Sequence, residues 1–399
     1  MSNSVKKIAF ISAGYLPLPS VKGGAVETLI DTLLASSKIS EKYQIDVYSI
    51  YDKEAIDVAK NQDKINYIYI KSSFIFVKAF RYLINKYTKK YIGNDYITKL
   101  IKKYRKKLLN YDYVIVENKP EYGLILRKFV KGKLIFHSHN DFLNSDTKHA
   151  NQILASYDKI FALSKFICNR IREINEKDGE EKVRLLYNGI DIEKFKNTNS
   201  NEVKLLKKSF KISNDDIVIL YTGRLVKEKG VKELIQSFNK INNDKFKLVI
   251  IGSIKSGVNK TNKFISELND LSKNNNNIIF TGYVNYDKIP LYYAIADVGV
   301  IPSIWEEPFA LTVIEHLASG HPVIITDSGA MPELVNDKVA RIVDRNKDFI
   351  KNLSNAIVKV EKSTSNIKES CILQAQRFNK NNYINRFDEL LSVEEEDAY

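Results

Sequence analysis

Apolar residues occur along the chain in short runs rich in β-branched side chains, and segments of helical periodicity separate these runs. Such runs, bounded by polar residues and glycine, are typical of β-strands. Several are apolar throughout, which indicates strands covered on both faces. This alternation of strands and helices predicts an α/β fold with parallel sheets. The predicted strands are Lys7–Gly14, Gln44–Tyr51, Ile65–Lys71, Tyr111–Asn118, Lys133–Asn140, Lys159–Ser164, Val183–Ile190, Ile217–Leu225, Lys247–Ser253, Asn277–Val284, Asp297–Ser303, Pro322–Asp327 and Ala340–Asp344.

A polar, turn-rich stretch, Asp191–Val203, lies between two halves that each show the strand–helix pattern. Turn-forming residues between two periodic regions mark a boundary, and a chain of 399 residues is long enough for two cores. We therefore predict an N-terminal domain of residues 1–195 and a C-terminal domain of residues 196–370. Residues 371–399 are predicted to form a C-terminal helix that packs back on the N-terminal domain.

Small or polar residues follow the carboxyl ends of the predicted strands. Ligands of open parallel sheets bind at this edge, and two such sheets facing each other would form one long cleft between the domains. The residues at these strand ends are Gly14, Asn118, His139, Ser164, Asn188, Arg224, Gly252, Gly282, Glu307 and Asp327.

Composition narrows the class of protein. With 44% hydrophobic and 28% charged residues, the chain has the composition of a soluble globular protein, and no apolar run reaches the roughly 18 residues of a membrane-spanning helix. The two cysteines, Cys168 and Cys371, are far apart in sequence, which favours a reducing, cytoplasmic setting. Together with five scattered histidines they provide no metal-ligand spacing.

The net charge of +14 favours an acidic partner. Twelve Lys or Arg residues stand against a single acid between Lys71 and Asn110. Aromatic and aliphatic residues alternate with lysines over Phe74–Leu109, a composition suited to helices resting on an anionic membrane; a lysine-rich composition spread over solvated faces is the alternative. Because no RNA-binding signature accompanies the charge, we expect no nucleic-acid partner.

Two glutamates stand eight positions apart in the stretch WEEPFALTVIEHLASG, residues 305–320. Pro308 suits the first turn of a helix, which predicts a helix beginning near Pro308–Phe309 with Glu307 in the preceding turn. Eight helical residues correspond to about 80° of rotation and about 12 Å of rise. Glu307 and Glu315 can therefore face one extended ligand at different depths.

The free N–H groups of Phe309, Ala310 and Leu311 would point outward at the start of this helix, where an anion is favoured. An anion site flanked by two carboxylates suits a sugar–diphosphate–nucleoside, because the acids can bind sugar and ribose hydroxyls on either side of the phosphates. For either glutamate alone, a helix cap or a surface residue is the alternative.

This stretch resembles the E-x7-E segment of GT-B glycosyltransferases of the retaining family 4 (glycosyl transferases group 1) type. Glu307 and Glu315 match the two acids of that segment. Further matches are Gly320, Pro322 and Val323, while Pro308 and Ala310 replace glycines and His316 replaces an alanine. The resemblance implies two Rossmann-like domains whose parallel sheets face each other across a cleft.

Other stretches resemble the same family. YTGRLVKEKG, residues 221–230, is similar to its G-R-L-x-x-x-K-G element, which implies that Arg224 and Lys229 bind the donor diphosphate. Two fixed cations there would stabilise the charge that develops on the leaving phosphate. FTGYV, residues 280–284, is similar to the segment that lines the nucleobase and contains Gly282 and Tyr283.

The N-terminal half also carries family elements. GYLPLPSVKGGAVETLI, residues 14–30, resembles the first glycine loop and helix, which implies that Gly23 and Gly24 approach the donor phosphates. Asn188 lies in YNGID, which matches the element closing the N-terminal domain. His137 and His139 share one strand face by alternation; the resemblance places His139 near the anomeric carbon, on the acceptor side, and a core histidine is the alternative.

The resemblance implies an enzyme that transfers a hexose, with retention of configuration, from a nucleotide diphosphate sugar to a glycan or lipid-linked acceptor. The commonest donors in the family are UDP-sugars, and no cofactor or metal is expected. Such an enzyme would serve surface polysaccharide or glycoconjugate synthesis in the cytoplasm, with a peripheral position at the inner face of the cell membrane. The alternatives are a non-catalytic nucleotide-sugar-binding partner of another transferase and a GT-B nucleotide-sugar epimerase.

Overall fold

The computed structural model describes residues 5–71, 93–196, 198–253, 263–362 and 365–392. It divides into two compact units, of which the first runs to Asn188 and resumes at Tyr383, while the second spans Gly189–Asn382. Most of the predicted membrane segment, residues 74–92, lies outside the described residues.

Each sequence-predicted strand overlaps a strand of the structure. The strands are β1 Lys7–Ile11, β2 Gln44–Ile50, β3 Ile65–Ile70, β4 Tyr113–Glu117, β5 Lys133–Ser138, β6 Lys159–Ala162, β7 Val183–Leu185, β8 Ile217–Thr222, β9 Phe246–Ile251, β10 Ile278–Gly282, β11 Val298–Ile301, β12 Val323–Thr326 and β13 Ala340–Val343.

The strands form two sheets, one in each unit. The first has the order β3-β2-β1-β4-β5-β6-β7 and the second the order β10-β9-β8-β11-β12-β13. Every neighbouring pair is parallel, and in the first sheet Ile8 of β1 is paired with both Ile45 of β2 and Tyr113 of β4. The α/β prediction of two Rossmann-like domains with parallel sheets is confirmed.

Helices lie between the strands, as crossovers between parallel strands require, and further helices follow β13. They are α1 Ala25–Leu34, α2 Ser37–Lys42, α3 Lys53–Ala59, α4 Asp95–Leu108, α5 Gly123–Leu126, α6 Ala150–Ser156, α7 Lys165–Arg172, α8 Glu176–Lys182, α9 Glu193–Lys196, α10 Ser200–Ser209, α11 Val231–Phe238, α12 Lys263–Ser272, α13 Ile289–Tyr293, α14 Leu311–Ala318, α15 Phe349–Val358, α16 Ser365–Gln376 and α17 Lys380–Ser392.

The last helix, α17, contributes aromatic residues to the core of the first unit. The ring of Phe387 lies 6.0 Å from that of Phe10 on β1 and 5.9 Å from that of Phe161 on β6, and all three side chains are fully buried. Burial of one such ring contributes roughly 1.5–3 kcal/mol. The carboxyl-terminal helix is thus part of the structure that supports the first sheet.

In the second unit, apolar side chains of α11 and α15 cover one face of the sheet, and Leu234, Ile250 and Ile357 lie in the same buried cluster. The polar residues predicted at strand ends lie where parallel strands terminate. Arg224 follows β8, Gly252 follows β9 and Gly282 closes β10. The carboxyl edge of this sheet is therefore the expected position of a ligand site.

Candidate active site

An ion pair joins two of the predicted site segments at the carboxyl edge of the second sheet. Lys229 ends a 3-10 helix, Lys227–Lys229, that follows β8, while Glu307 lies beyond the end of the neighbouring strand β11. The Nζ atom of Lys229 is 2.6 Å from Oε1 of Glu307. Glu307 is 2% exposed, so this charge-assisted hydrogen bond satisfies a carboxylate that has little access to water.

Further groups position this pair. Ser303 Oγ donates to the same oxygen of Glu307, and the indole ring of Trp305 lies 5.5 Å from the Lys229 ammonium. Gly230 has a φ of +66°, and a Cβ at this position would clash with the carbonyl oxygen of Pro302. The glycine therefore allows the segment after β8 to approach the end of β11.

Arg224 lies on the same segment as Lys229, with an exposed side chain. Its carbonyl oxygen accepts a hydrogen bond of 2.9 Å from the hydroxyl of Tyr221, a buried residue of β8. Burial raises the pKa of Tyr221, and the charges of Glu307 and Arg224 act on it in opposite directions.

Glu315 lies in α14 and is 5% exposed. Its Oε2 accepts a hydrogen bond of 2.7 Å from the buried Tyr293, and its Oε1 accepts one of 3.1 Å from Tyr286, which is half exposed. Burial raises the pKa of Glu315, while the two hydroxyls oppose this shift. The predicted ribose-binding acid is therefore held by two tyrosines that sequence reasoning did not single out.

The predicted start of this helix was wrong. The helix begins at Leu311, because Ala310 is the residue preceding its first turn and has extended backbone angles, φ −111° and ψ 92°. Phe309 lies before the helix, with its ring 6.0 Å from that of Phe378. Since the free N–H groups of a helix start include that of the capping residue, Ala310, Leu311 and Thr312 provide them, whereas Phe309 lies outside the helix.

The predicted nucleobase segment closes β10. Gly282 has a φ of +73° and its carbonyl oxygen accepts a hydrogen bond of 3.0 Å from the N–H of Gly252. Tyr283, the next residue, is 38% exposed. Both residues lie at the carboxyl edge of the same sheet as Lys229 and Glu307.

In the first unit, His139 is part of a buried cluster with Glu117 and His137. The Nε2 atom of His139 is 2.7 Å from Oε2 of Glu117, and the Nδ1 atom of His137 is 3.1 Å from the same oxygen. The Nδ1 atom of His139 has no hydrogen-bond partner among the described residues. Strand alternation placed both histidines on one face, as observed, since their rings are 4.1 Å apart.

The charge states in this cluster follow from its surroundings. Burial opposes a charge on Glu117, but the two histidines outweigh it and lower its pKa to about 2. Burial and the neighbouring His137 lower the pKa of His139 to about 4, so His139 is neutral near pH 7 and Glu117 is charged. One side-chain ligand atom from each of these three residues lies within 4.8 Å of the other two, so the three residues together could hold a metal ion.

Gly23 and Gly24 lie at the start of α1, as predicted, with φ values of +70° and +112°. The carboxylate of Glu27 folds back to the place where a Cβ on Gly24 would be, and burial raises its pKa. A phosphate at this helix end would therefore meet an acidic group, and the role of both glycines stays a prediction. Asn188 is 4% exposed and follows β7.

Sequence reasoning missed Glu117, Ser303, Tyr286 and Tyr293. Glu117 had a recognisable signal, because it is the one charged residue of the apolar strand YVIVE. The other three carry hydroxyls, which occur throughout the chain, and only the folded structure shows that they contact the two site carboxylates.

Part of the predicted membrane segment forms α4. Its outer surface carries four exposed cations, Lys102, Lys103, Arg105 and Lys106, whereas Lys107 is paired with Asp46 at 2.6 Å. Within the described parts of the chain, no helix has the length and apolarity needed to cross a membrane.

Known proteins resemble this chain in sequence and in fold. "Spore coat protein SA" of Bacillus subtilis is 26% identical over 341 residues, 83% of each chain. "Capsular polysaccharide biosynthesis glycosyltransferase CapM" of Staphylococcus aureus is 36% identical over 194 residues, 47% of this chain and 48% of its own. The crystal structure of Anabaena HepE in complex with UDP-glucose matches with a TM-score of 0.72 and 19% identity, covering 97% of this chain and 99% of HepE.

Residues 202–383 match the family model described as "Glycosyl transferases group 1". The matched region contains Arg224, Lys229, Glu307 and Glu315, the four charged residues for which the family resemblance implied a role. The motifs, the two parallel sheets and this match agree, and residues 202–383 are similar to the glycosyl transferases group 1 family.

Proposed function

We propose that this protein is a glycosyltransferase of the glycosyl transferases group 1 family, which transfers a hexose from a UDP-sugar to a hydroxyl of a glycan or lipid-linked acceptor with retention of anomeric configuration. The observation that carries the proposal is the contact of 2.6 Å between Lys229 and Glu307 at the carboxyl edge of the second sheet. In this proposal the cation binds phosphate and the carboxylate binds sugar hydroxyls, and these are the two kinds of group that a nucleotide sugar requires.

The diphosphate is the part of the donor that gains charge during the reaction. When the bond between the anomeric carbon and the phosphate oxygen breaks, both bonding electrons stay on the phosphate. Lys229 and Arg224 are assigned to stabilise this charge, together with N–H groups at the start of α14. Two fixed cations supply the stabilisation in this proposal, and no metal or cofactor is required.

Glu307 is assigned to the hydroxyls of the donor sugar. Its Oε1 is already held by Lys229 and Ser303, and a carboxylate has further lone pairs for sugar hydroxyls. Glu315 is assigned to the ribose in the same way. Gly282 and Tyr283 are assigned to the nucleobase, and Gly23, Gly24 and Asn188 keep their predicted donor-side roles.

The transfer step is a displacement on one face of the sugar. The acceptor oxygen bonds to the anomeric carbon on the face from which the diphosphate departs, and the acceptor proton passes to the leaving phosphate oxygen. The configuration is therefore retained without a covalent sugar–enzyme intermediate. His139 is assigned to the acceptor side, where its neutral imidazole can accept a hydrogen bond from a hydroxyl.

Names of similar proteins support the donor and acceptor classes. HepE was crystallised with UDP-glucose, and the name of CapM assigns it to capsular polysaccharide biosynthesis. A UDP-hexose donor and a surface-polysaccharide acceptor are consistent with both. We place the enzyme in the cytoplasm, and the exposed cations of α4 support a peripheral position on an anionic membrane, where the enzyme would contact a lipid-linked acceptor.

The test is a screen of nucleotide sugars by thermal shift, because a ligand that binds the folded state raises the melting temperature by more the further its concentration exceeds its Kd. The donor that stabilises best is then incubated with candidate acceptors, with and without EDTA. Retention predicts a product whose anomeric configuration, read by NMR, equals that of the donor. Release of a rearranged sugar would favour an epimerase, and binding without hydrolysis or transfer would favour a partner subunit.

A further inference from the structure

The acid next to Glu307 has no role in the proposed reaction, yet it is held by an extensive set of contacts. We propose that Glu306 and Arg345 are positioning residues for donor transfer, which hold the acidic loop (residues 303–307) so that Glu307 meets the donor sugar. The inference rests on the proposed function. Neither residue belongs to the family pattern that identified Glu307 and Glu315.

Arg345 follows β13 and reaches the acidic loop with one guanidinium group. Its Nη2 atom is 2.6 Å from Oε1 of Glu306, and its Nη1 atom donates to the carbonyl oxygen of Ile304 at 3.4 Å. Its Nε atom donates to the carbonyl oxygen of Asp327 at 2.8 Å. A single side chain thus ties the acidic loop to the end of β12.

Glu306 uses its second oxygen to hold the turn that follows β12. Its Oε2 accepts a hydrogen bond of 2.5 Å from the N–H of Gly329. The same turn contacts the backbone of Glu307, because the N–H of Ala330 donates to the carbonyl oxygen of Glu307 at 2.8 Å. Glu306 therefore connects Arg345 on one side with the turn that touches Glu307 on the other.

Ser328 completes this connection. Its Oγ donates to the carbonyl oxygen of Trp305 and accepts a hydrogen bond of 3.3 Å from the N–H of Glu307. The backbone on both sides of Glu306 is thereby hydrogen-bonded to the turn after β12. What the Glu306–Arg345 pair adds is a charged link between the same two segments.

The Glu306–Arg345 pair affects the position of the acidic loop more than the stability of the fold. The side chains of Glu306 and Arg345 are 48% and 25% exposed, and exposed ion pairs stabilise a fold only slightly. A catalytic group, in contrast, loses much of its effect when it is displaced by about 1 Å. We therefore expect the loss of the pair to change donor use with little change in folding.

The experiment compares Glu306→Gln, Arg345→Gln and the double variant with the wild type. Each single variant is expected to lower kcat/KM for the UDP-sugar about tenfold. The double variant is expected to match Arg345→Gln, because that change already breaks the pair together with the bonds of Arg345 to two backbone carbonyl oxygens. Affinity for UDP alone is expected to stay within about twofold, since the loop is assigned to the sugar. Lys232→Gln breaks the exposed pair of Lys232 with Glu267 and is the matched control with wild-type turnover.

Four results would overturn the inference. Wild-type turnover in both single variants would show that the pair does not position Glu307. Losses that multiply in the double variant, or a loss in Arg345→Gln alone, would show that Arg345 acts independently of Glu306. Equal losses of affinity for UDP and UDP-sugar would show a general structural role. If the wild-type enzyme itself transfers no sugar, the proposed function fails instead.

Discussion

The ammonium of Lys229 lies 2.6 Å from the carboxylate of Glu307, although the two residues are 78 positions apart in the chain. One residue follows β8 and the other follows β11, and these strands are neighbours in the second sheet. Two stretches that the sequence marked separately therefore form one charged site. If Lys229 and Glu307 were far apart in the structure, the proposal that a diphosphate binds beside a sugar-binding acid would be wrong.

Replacing either partner should abolish most of the transfer. Lys229→Ala removes a cation from the leaving phosphate and Glu307→Gln removes the charge that binds sugar hydroxyls, so turnover is expected to fall by roughly a hundredfold or more. Steady-state rates with the preferred UDP-sugar measure this, and circular dichroism checks the fold. Turnover at the wild-type level in well-folded Lys229→Ala would refute the assignment of the diphosphate to this site.

The two tyrosines that hold Glu315 should differ in their effect on stability. Tyr293→Phe leaves a buried carboxylate oxygen without its donor, which is expected to cost about 1–3 kcal/mol in the free energy of unfolding. Tyr286 is half exposed, so water can replace its hydroxyl and Tyr286→Phe should cost less. Urea denaturation of both variants gives the comparison, and equal losses would contradict the different burial of the two hydroxyls.

Gly329 should be more sensitive to alanine than Gly320. Both have positive φ, +51° and +81°, and an added Cβ is strained in each case, at about 1–2 kcal/mol. At Gly329 the Cβ would also clash with the backbone of Glu307, whereas at Gly320 the nearest atom is 3.5 Å away, in Lys368. Gly329→Ala is expected to lose transfer, and Gly320→Ala to retain it. Full transfer by Gly329→Ala would show that the turn does not constrain Glu307.

The exposed cations of α4 should contribute to binding of anionic liposomes. The double variant Lys102→Gln, Lys106→Gln is expected to bind about 30-fold more weakly at low salt, since each cation near the surface contributes about 1 kcal/mol. Lys204→Gln with Lys208→Gln, an equally spaced pair of exposed lysines on α10, is the matched control. Sedimentation measures the binding. Equal losses of liposome binding in both variants would indicate that the protein binds through its overall positive charge and not through the surface of α4.

Acid should destabilise the protein through His321. Burial, with the charge of Lys368, lowers its pKa from 6.5 to about 4, so the unfolded chain takes up a proton before the folded one does. The contribution of the neutral His321 to the free energy of unfolding is fully present above pH 6.5. It decreases by about 1.4 kcal/mol per pH unit as the pH falls towards 4. The unfolding free energy of His321→Gln should decrease less between pH 6.5 and pH 4.5. Parallel curves for both proteins would contradict the lowered pKa.

Secondary structure was largely predictable because strands and helices follow the local period of apolar residues. The error at α14 shows the limit of local signals. Pro308 is compatible with a first helical turn, but the backbone remains extended to Ala310 and the helix begins at Leu311. Phe309 packs there against Phe378, a contact between distant positions that no local pattern contains.

Candidate site residues were predictable where their type and spacing are unusual. Arg224, Lys229, Glu307 and Glu315 stand out as charges at strand ends or within apolar stretches. Ser303, Tyr286 and Tyr293 do not, because hydroxyl side chains are common and their roles depend on which carboxylate they reach. Glu306 stood out by its charge, but its partner Arg345 lies 39 positions away and is visible only in the fold.

By itself, the amino-acid sequence determined the α/β class and the approximate positions of the thirteen strands seen in the described residues, and it singled out charged candidate site residues, since all of these depend on local periodicity and residue type. Only the tertiary structure determined which charged side chains contact each other. Strand order in the second sheet brings the ends of β8 and β11 together, and the turn after β12 reaches back to Glu307. Such contacts depend on distances between residues far apart in the chain, and local periodicity does not specify those distances.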